Sequence, residues 1–125
     1  MQNEELRVLH EQANMSLDQY DFVPAGLFTL HACGEIRELN LAGGTMLGAS
    51  RATLVGNRLS AMVVLPEREA FEAFLDRIFA TKSKQMFECT ILRPNRTLLR
   101  AMIAARASPD GQECRAVMLD LDDRY

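Results

Sequence analysis

The sequence predicts an α+β domain in which a five-stranded antiparallel sheet carries helices on one face, with an amphipathic helix in front of it. Five short runs have strand character and fall into a group of two and a group of three. The connections inside each group are too short for parallel crossovers, so the pairing is antiparallel. Between the groups lies a helical stretch that ends in one strongly periodic helix after Pro66. One domain of 125 residues is long enough to bury a single sizeable core.

From Gln2 to Gln19, Leu6, Leu9, Ala13 and Tyr20 recur at helical spacing, with Val8 and Leu17 on the flanks. We therefore divide the chain into an N-terminal amphipathic or dimerisation helix, 1–19, and a domain, 20–125. Leu6, Ala13 and Tyr20 share one heptad position and Leu9 occupies the other, but Ser16 interrupts the seam. The stripe Leu6, Leu9, Ala13, Leu17 either packs on its own domain or pairs with the same helix of a second copy, giving a parallel homodimer.

Past Phe22, the run Val23 to His31, the turn Ala32-Cys33-Gly34 and the run Glu35 to Asn40 read as a hairpin. Residues 40–63 hold four glycines among short apolar clusters, which suits a few short helices. Pro66 fits a first helical turn, Glu67 and Glu69 suit the positive end of the dipole, and Phe71, Phe74, Leu75, Ile78 and Phe79 mark one face. Gln85 to Arg93, the turn Pro94-Asn95-Arg96, and the alternation of Leu99, Ala101, Ile103 and Ala105 with Arg100, Met102, Ala104 and Arg106 give a second hairpin. Ser108-Pro109-Asp110-Gly111 is a turn, and Cys114 to Leu121 closes the sheet.

Composition excludes several classes. A 48% hydrophobic and 25% charged chain is ordinary for a soluble globular domain. A net charge of -3 with scattered arginines leaves no basic excess for phosphates, so nucleic acid is not expected as a partner. No apolar run approaches the roughly 20 residues of a membrane span, and the polar start is unlike a signal peptide. A cytoplasmic location without direct membrane contact is expected, in a parent protein that is itself free to carry an anchor. Three cysteines, Cys33, Cys89 and Cys114, lack paired spacing, so reduced thiols are expected in place of a disulfide framework.

Local phrases narrow the fold further. Tyr20-Asp21-Phe22-Val23-Pro24-Ala25-Gly26-Leu27-Phe28-Thr29-Leu30 followed by Gly34-Glu35-Ile36-Arg37-Glu38-Leu39-Asn40 resembles the opening of PAS domains. Leu47-Gly48, Leu54-Val55-Gly56 and Pro66-Glu67-Arg68 through Phe74 look like the PAS helical segment and its long connector helix. Asp120-Leu121-Asp122-Asp123-Arg124 is similar to the Asp-Ile-Thr-x-Arg phrase that ends many PAS domains, and Gln2 to Arg7 resembles the helix preceding such modules in bacterial histidine kinases and cyclic-dinucleotide enzymes. The likeness spans nearly the whole chain. Two departures stand out: Asp122 replaces the usual Thr, and Asn95-Arg96 replaces the usual Asp-Gly of the hairpin.

The resemblance implies a sensory or relay module that regulates a downstream effector domain in cis and performs no chemistry itself. The alternative is a ligand-free dimerisation or protein-docking domain. It also implies that Phe28, Asn40, Leu47, Met62, Phe74, Ile78, Phe87 and Met102 lie on elements whose inner faces meet around a small-molecule cavity, against the plainer reading of a filled core. Asp120, Asp122 and Arg124 become the signal-relay residues, with Asp120 and Arg124 close enough in sequence to pair.

Enzymatic candidates are few: His31 and Cys33 share a hairpin turn where nothing excludes water, and no catalytic residue is assigned. His-x-Cys without a second pair is no zinc signature. Haem-binding PAS relatives use a histidine near the connector helix, and 66–80 has none; light-sensing relatives carry Asn-Cys-Arg, whereas here Asn57 is followed directly by Arg58. Haem and thiol-adduct flavin are disfavoured, no cofactor is expected, and a noncovalent small ligand is left open.

Overall fold

The computed structural model describes residues 17–122, with side chains described from Gln19 onward. The stripe residues Leu6, Leu9 and Ala13 and the relay residue Arg124 lie outside this range, as does the side chain of Leu17. A first helix, α1 (Leu17–Phe22), leads into β1 (Gly26–His31) and β2 (Ile36–Leu39). The short helices α2 (Leu41–Leu47) and α3 (Arg51–Leu54) and a 3₁₀ turn (Leu59–Met62) follow. The long helix α4 (Leu65–Thr81) then crosses to β3 (Gln85–Leu92), β4 (Leu98–Ala107) and β5 (Glu113–Asp120). The strands form one antiparallel sheet in the order β2-β1-β5-β4-β3, so the first and last strands are neighbours at its centre. Among the described residues no helix is long and apolar enough to cross a membrane.

The helical side of the sheet holds the main core. Phe28 and Leu30 of β1, Phe71, Phe74, Leu75 and Ile78 of α4, and Leu99, Ala101, Ile103 and Ala105 of β4 are buried there. Alternation along β4 places Ala104 on the other face, with Leu27, Val117 and Tyr20 in a smaller cluster. The pairs Leu27 with Val117, Val117 with Ala104, and Ala104 with Met86 set one apolar row across four strands of that outer face. Tyr20 belongs to α1, so the helix runs through the expected boundary at residue 19 and ends inside the domain.

Several elements are closed by local chemistry. Ser50 caps α3, its Oγ accepting from Thr53 N at 3.3 Å. Glu67 pins the first turn of α4 to β3, accepting from Thr90 N at 2.6 Å and from Thr90 Oγ1 at 3.2 Å. In the β4–β5 turn, Asp110 accepts from Ser108 Oγ at 2.6 Å and from Gln112 N at 3.0 Å; these bonds hold its carboxyl below the usual range, and Gly111 takes φ 72°. Gly26 and Gly43 let α2 lie directly on β1. A Cβ on Gly26 would come within 3.3 Å of Gly43 Cα, and a Cβ on Gly43 within 3.1 Å of the Phe28 ring.

Asn40 closes the corner between sheet and helices. It is fully buried, and its Oδ1 accepts from Leu27 N and from Gly43 N, both at 2.9 Å. Its Nδ2 donates to Tyr20 O and Ala25 O at 2.9 Å and leans on Val23 O at 3.4 Å. Asn40→Ala is expected to destabilise the domain by about 3 kcal/mol or more, because it strands several buried backbone groups at about 1–3 kcal/mol each. Urea unfolding of the variant, read at constant m-value, is the check, and a loss under about 1 kcal/mol would show that water replaces the amide.

Candidate functional site

The residues expected to line a cavity divide into three groups. Phe28, Leu47, Phe74 and Ile78 are fully buried in the inner core, and Met62 and Phe87 are half-buried against it. Asn40 is buried too, but its amide is committed to backbone partners, which corrects its expected role as a ligand contact. Met102 is corrected as well: it pairs with Glu88 and Leu119 on the outer face, one residue out of phase with inward-facing Ala101 and Ile103. The alternation legible in the sequence already pointed to Ile103 instead.

Within the inner group three aromatic rings pack on one another. The rings of Phe71 and Phe74 stand 5.9 Å apart, Phe71 meets Phe87 edge-on at 5.9 Å, and Phe74 stacks on Phe87 at 5.2 Å. The same buried cluster includes the small side chains Ala101, Ala105, Ala107 and Ala116 of the sheet, beside which large residues of α4 and β3 pack. Phe71 was absent from the expected lining although it sits three residues before Phe74 on the same helical face.

A second locus is the junction where the chain approaches and leaves the sheet. Segment 20–25 is held by Asn40, by the Tyr20 hydroxyl donating to Leu27 O at 3.3 Å, and by Asp21. The Asp21 carboxylate accepts from Arg51 Nη1 at 3.0 Å and from Leu41 N at 3.2 Å. At the other end, Leu121 N donates to Arg100 O at 2.9 Å, and Asp120 Oδ1 accepts from Asp122 N at 2.9 Å. The Asp120 carboxylate thus caps the turn after β5, with Asp122 exposed beside it. Pro24, Ala25, Leu119, Asp120 and Leu121 share one surface groove of about 420 Å³ with Thr45 and Met46 of α2.

The remaining chemistry-bearing groups stay apart. His31 Nδ1 lies 3.4 Å from Cys33 Sγ at the exposed β1–β2 turn, and among the described residues no three His, Cys, Asp or Glu side chains gather as a metal site. Cys89 and Cys114 are buried, and burial pushes both thiols up to about 12. Burial also raises the Tyr20 phenol above its ordinary value of 10.0.

No protein-family model matches the sequence, and no curated protein matches it. Solved structures do. The PAS domain of an HTR-like protein from Haloarcula marismortui superposes with a TM-score of 0.74 at 18% identity, covering 90% of this chain and 100% of that one. A domain of a sensory box sensor histidine kinase/response regulator from Geobacter sulfurreducens gives a TM-score of 0.71 at 21% identity, covering 87% and 95%. The chain has the PAS fold. A third such structure, the PAS domain of a LuxR-family transcriptional regulator from Burkholderia thailandensis, in complex with ethanol, gives 0.69 at 18% identity over 83% and 95%. Identity this low establishes the PAS architecture and no more.

Burial of Cys89 and Cys114 is expected to make this PAS fold base-labile. Their folded values near 12 exceed the ordinary 9.0, so the stability they contribute is complete below about pH 9 and is lost as pH rises towards 12. Melting temperature is expected to fall across that window, and Cys89→Ala with Cys114→Ala is expected to flatten the fall. An unchanged slope in the double variant would assign the lability to other groups such as Tyr20.

Proposed function

We propose that this domain is a sensory or signal-relay module that regulates an effector domain of the same polypeptide in a signal-transduction protein, working as a homodimer. The observation that carries the reading is the junction groove, where the incoming segment at Pro24 and Ala25 and the outgoing one at Leu119 to Leu121 meet. The first and last strands also pair along their length, from Gly26 with Met118 to His31 with Glu113. A displacement of the sheet at this point moves both ends of the domain together, which is what a relay inserted between helices requires. Structures of this shape come from a sensor histidine kinase/response regulator and a transcriptional regulator, and this supports a signalling role.

The second reading is a ligand-free dimerisation or docking domain. The packed rings of Phe71, Phe74 and Phe87 favour it over a permanently occupied small-molecule pocket. Both readings use the same dimer, formed through the stripe Leu6, Leu9, Ala13 and Leu17.

Relay is tested at Asp120, whose carboxylate caps the outgoing turn, and at Arg124 downstream. In the full-length parent, Asp120→Ala and Arg124→Ala are expected to change basal output or its response to stimulus. Melting temperature of the domain should hold nearly constant, since exposed polar contacts of this kind contribute under about 1 kcal/mol. Normal signalling in both variants, or unfolding in both, rules the relay role out and leaves the docking reading. The dimer is tested separately: Leu6→Glu with Leu9→Glu is expected to give a monomer by light scattering, and a dimer that persists would place the contact elsewhere.

A further inference from the structure

We infer that the concavity between the start of α4 and the β3–β4 turn is a docking site for an acidic amphipathic peptide segment of a partner protein. It holds about 810 Å³ and gathers Arg68, Arg93 and Arg96 around Met62, Leu65 and Leu92. This is a local excess of positive charge in a chain whose net charge is -3.

Two of the three guanidinium groups are held in place, and among the described residues none of the three is in an ion pair. Arg68 donates from Nε and Nη2 to Val63 O at 3.3 and 3.0 Å and from Nη2 to Ala61 O at 3.4 Å. Arg93 donates from Nε to Met46 O at 2.7 Å and from Nη1 to Thr97 Oγ1 at 3.1 Å. Those partners are neutral, so each group is oriented yet keeps its full charge and at least one unused N–H edge. Among the described residues the ion pairs are Arg51 with Asp21 and Arg100 with Glu88, and none involves these three arginines. Arg96 makes no side-chain bond there and holds φ 71°, a left-handed conformation that strains an arginine and that glycine adopts freely.

The start of α4 borders the same space. Val64, at the N-cap, has no side chain able to accept a hydrogen bond, and Val64 and Leu65 line the concavity. Glu67, the acid of that first turn, is turned away to Thr90. The start of this helix and Arg68, Arg93 and Arg96 therefore line one space, and guanidinium groups are the side chains that bind carboxylates in pairs of hydrogen bonds.

The apolar surface decides between occupants. Leu65 is 72% exposed and Leu92 48% exposed, area that a free phosphate or small dicarboxylate would leave wet. No aromatic side chain lines the space to stack a nucleobase. A segment that alternates Asp or Glu with leucine-like side chains satisfies both the charges and the apolar rim, in the manner of a helix laid in a groove.

The test uses the whole chain and a fluorescein-labelled amphipathic peptide with Glu on one face and Leu at i, i+3 and i+4, beside a twin with Lys for Glu. Anisotropy is expected to show saturable, salt-sensitive binding of the acidic peptide and none of the twin. Arg96→Glu and Leu65→Asp are each expected to weaken it about tenfold. Arg77→Glu, the same charge change on an exposed site at the far end of α4, is expected to leave it unchanged. Amide chemical shifts should move at Val64, Leu65 and Arg96 on titration, which also reports that each variant is folded. The proposal is overturned if no saturable binding appears at low salt, if Arg77→Glu weakens binding as much as Arg96→Glu, or if inorganic phosphate, succinate or an oligonucleotide binds the same amides and displaces the peptide at equal charge.

Discussion

The corner where α1, β1 and α2 meet is held by the side-chain amide of Asn40. A chain that turns from a strand into a helix leaves donors of both elements unpaired at the same corner, and burial makes each of them expensive. One carboxamide answers both sides: its oxygen serves the amide of Leu27 in β1 and that of Gly43 in α2, while its nitrogen serves the carbonyls of Tyr20 and Ala25. No other side chain of this size offers two acceptor sites and two donors. The backbone of Asn40 adds a bond to Leu27 O at 3.0 Å, extending the β1–β2 ladder by one residue beyond the Phe28–Leu39 pair. The end of α1, the start of β1 and the start of α2 therefore move as one piece.

That rigidity gives the two faces of the sheet different jobs. The inner face packs Phe28, Leu30, Leu99, Ile103 and the small side chains Ala101, Ala105 and Ala116 of the sheet against Phe71, Phe74, Leu75 and Ile78 of α4, and such packing tolerates little change in volume. The outer face carries the row Leu27, Val117, Ala104 and Met86, with Tyr20 of α1 on it. Leu27 and Phe28 are consecutive residues, one on each face, so a shift of Phe28 in the inner core is passed to the surface under Tyr20 through a single peptide. The inner layer and the Tyr20 cluster on the opposite layer are thus joined across β1 by adjacent residues.

How much of this was legible in the sequence depended on the range of the forces involved. Alternation fixed the strands, because the pleat makes inward and outward positions differ residue by residue, and the Pro66 to Phe79 periodicity gave the long helix for the same local reason. The fold followed once the short connections excluded parallel pairing. Asn40 was picked out by its position at the end of a phrase, but its role was not, since four of its partners lie 13 to 20 residues away and nothing local announces them. Met102 was misplaced for a different reason: methionine is adaptable enough to suit either face, and its chemistry outweighed a period that already pointed outward. The aromatic cluster was half legible, Phe71 and Phe74 from helical spacing and Phe87 only once β3 is folded back onto α4.

The β3–β4 turn shows what a departure from a pattern is worth. Arg96 stands at a left-handed position that glycine occupies without strain, and as turn chemistry alone the substitution is a small loss. Its neighbours change the balance. The turn is already closed by Arg93 N on Thr97 O at 2.9 Å and by Asn95 Oδ1 accepting from Thr97 N at 3.1 Å, so local geometry is secured without glycine. A residue that adds backbone strain and, among the described residues, has no ion-pair partner contributes nothing to the fold that a smaller residue would not. Its consequence lies outside the fold, in the field it completes with Arg68 and Arg93 at the start of α4.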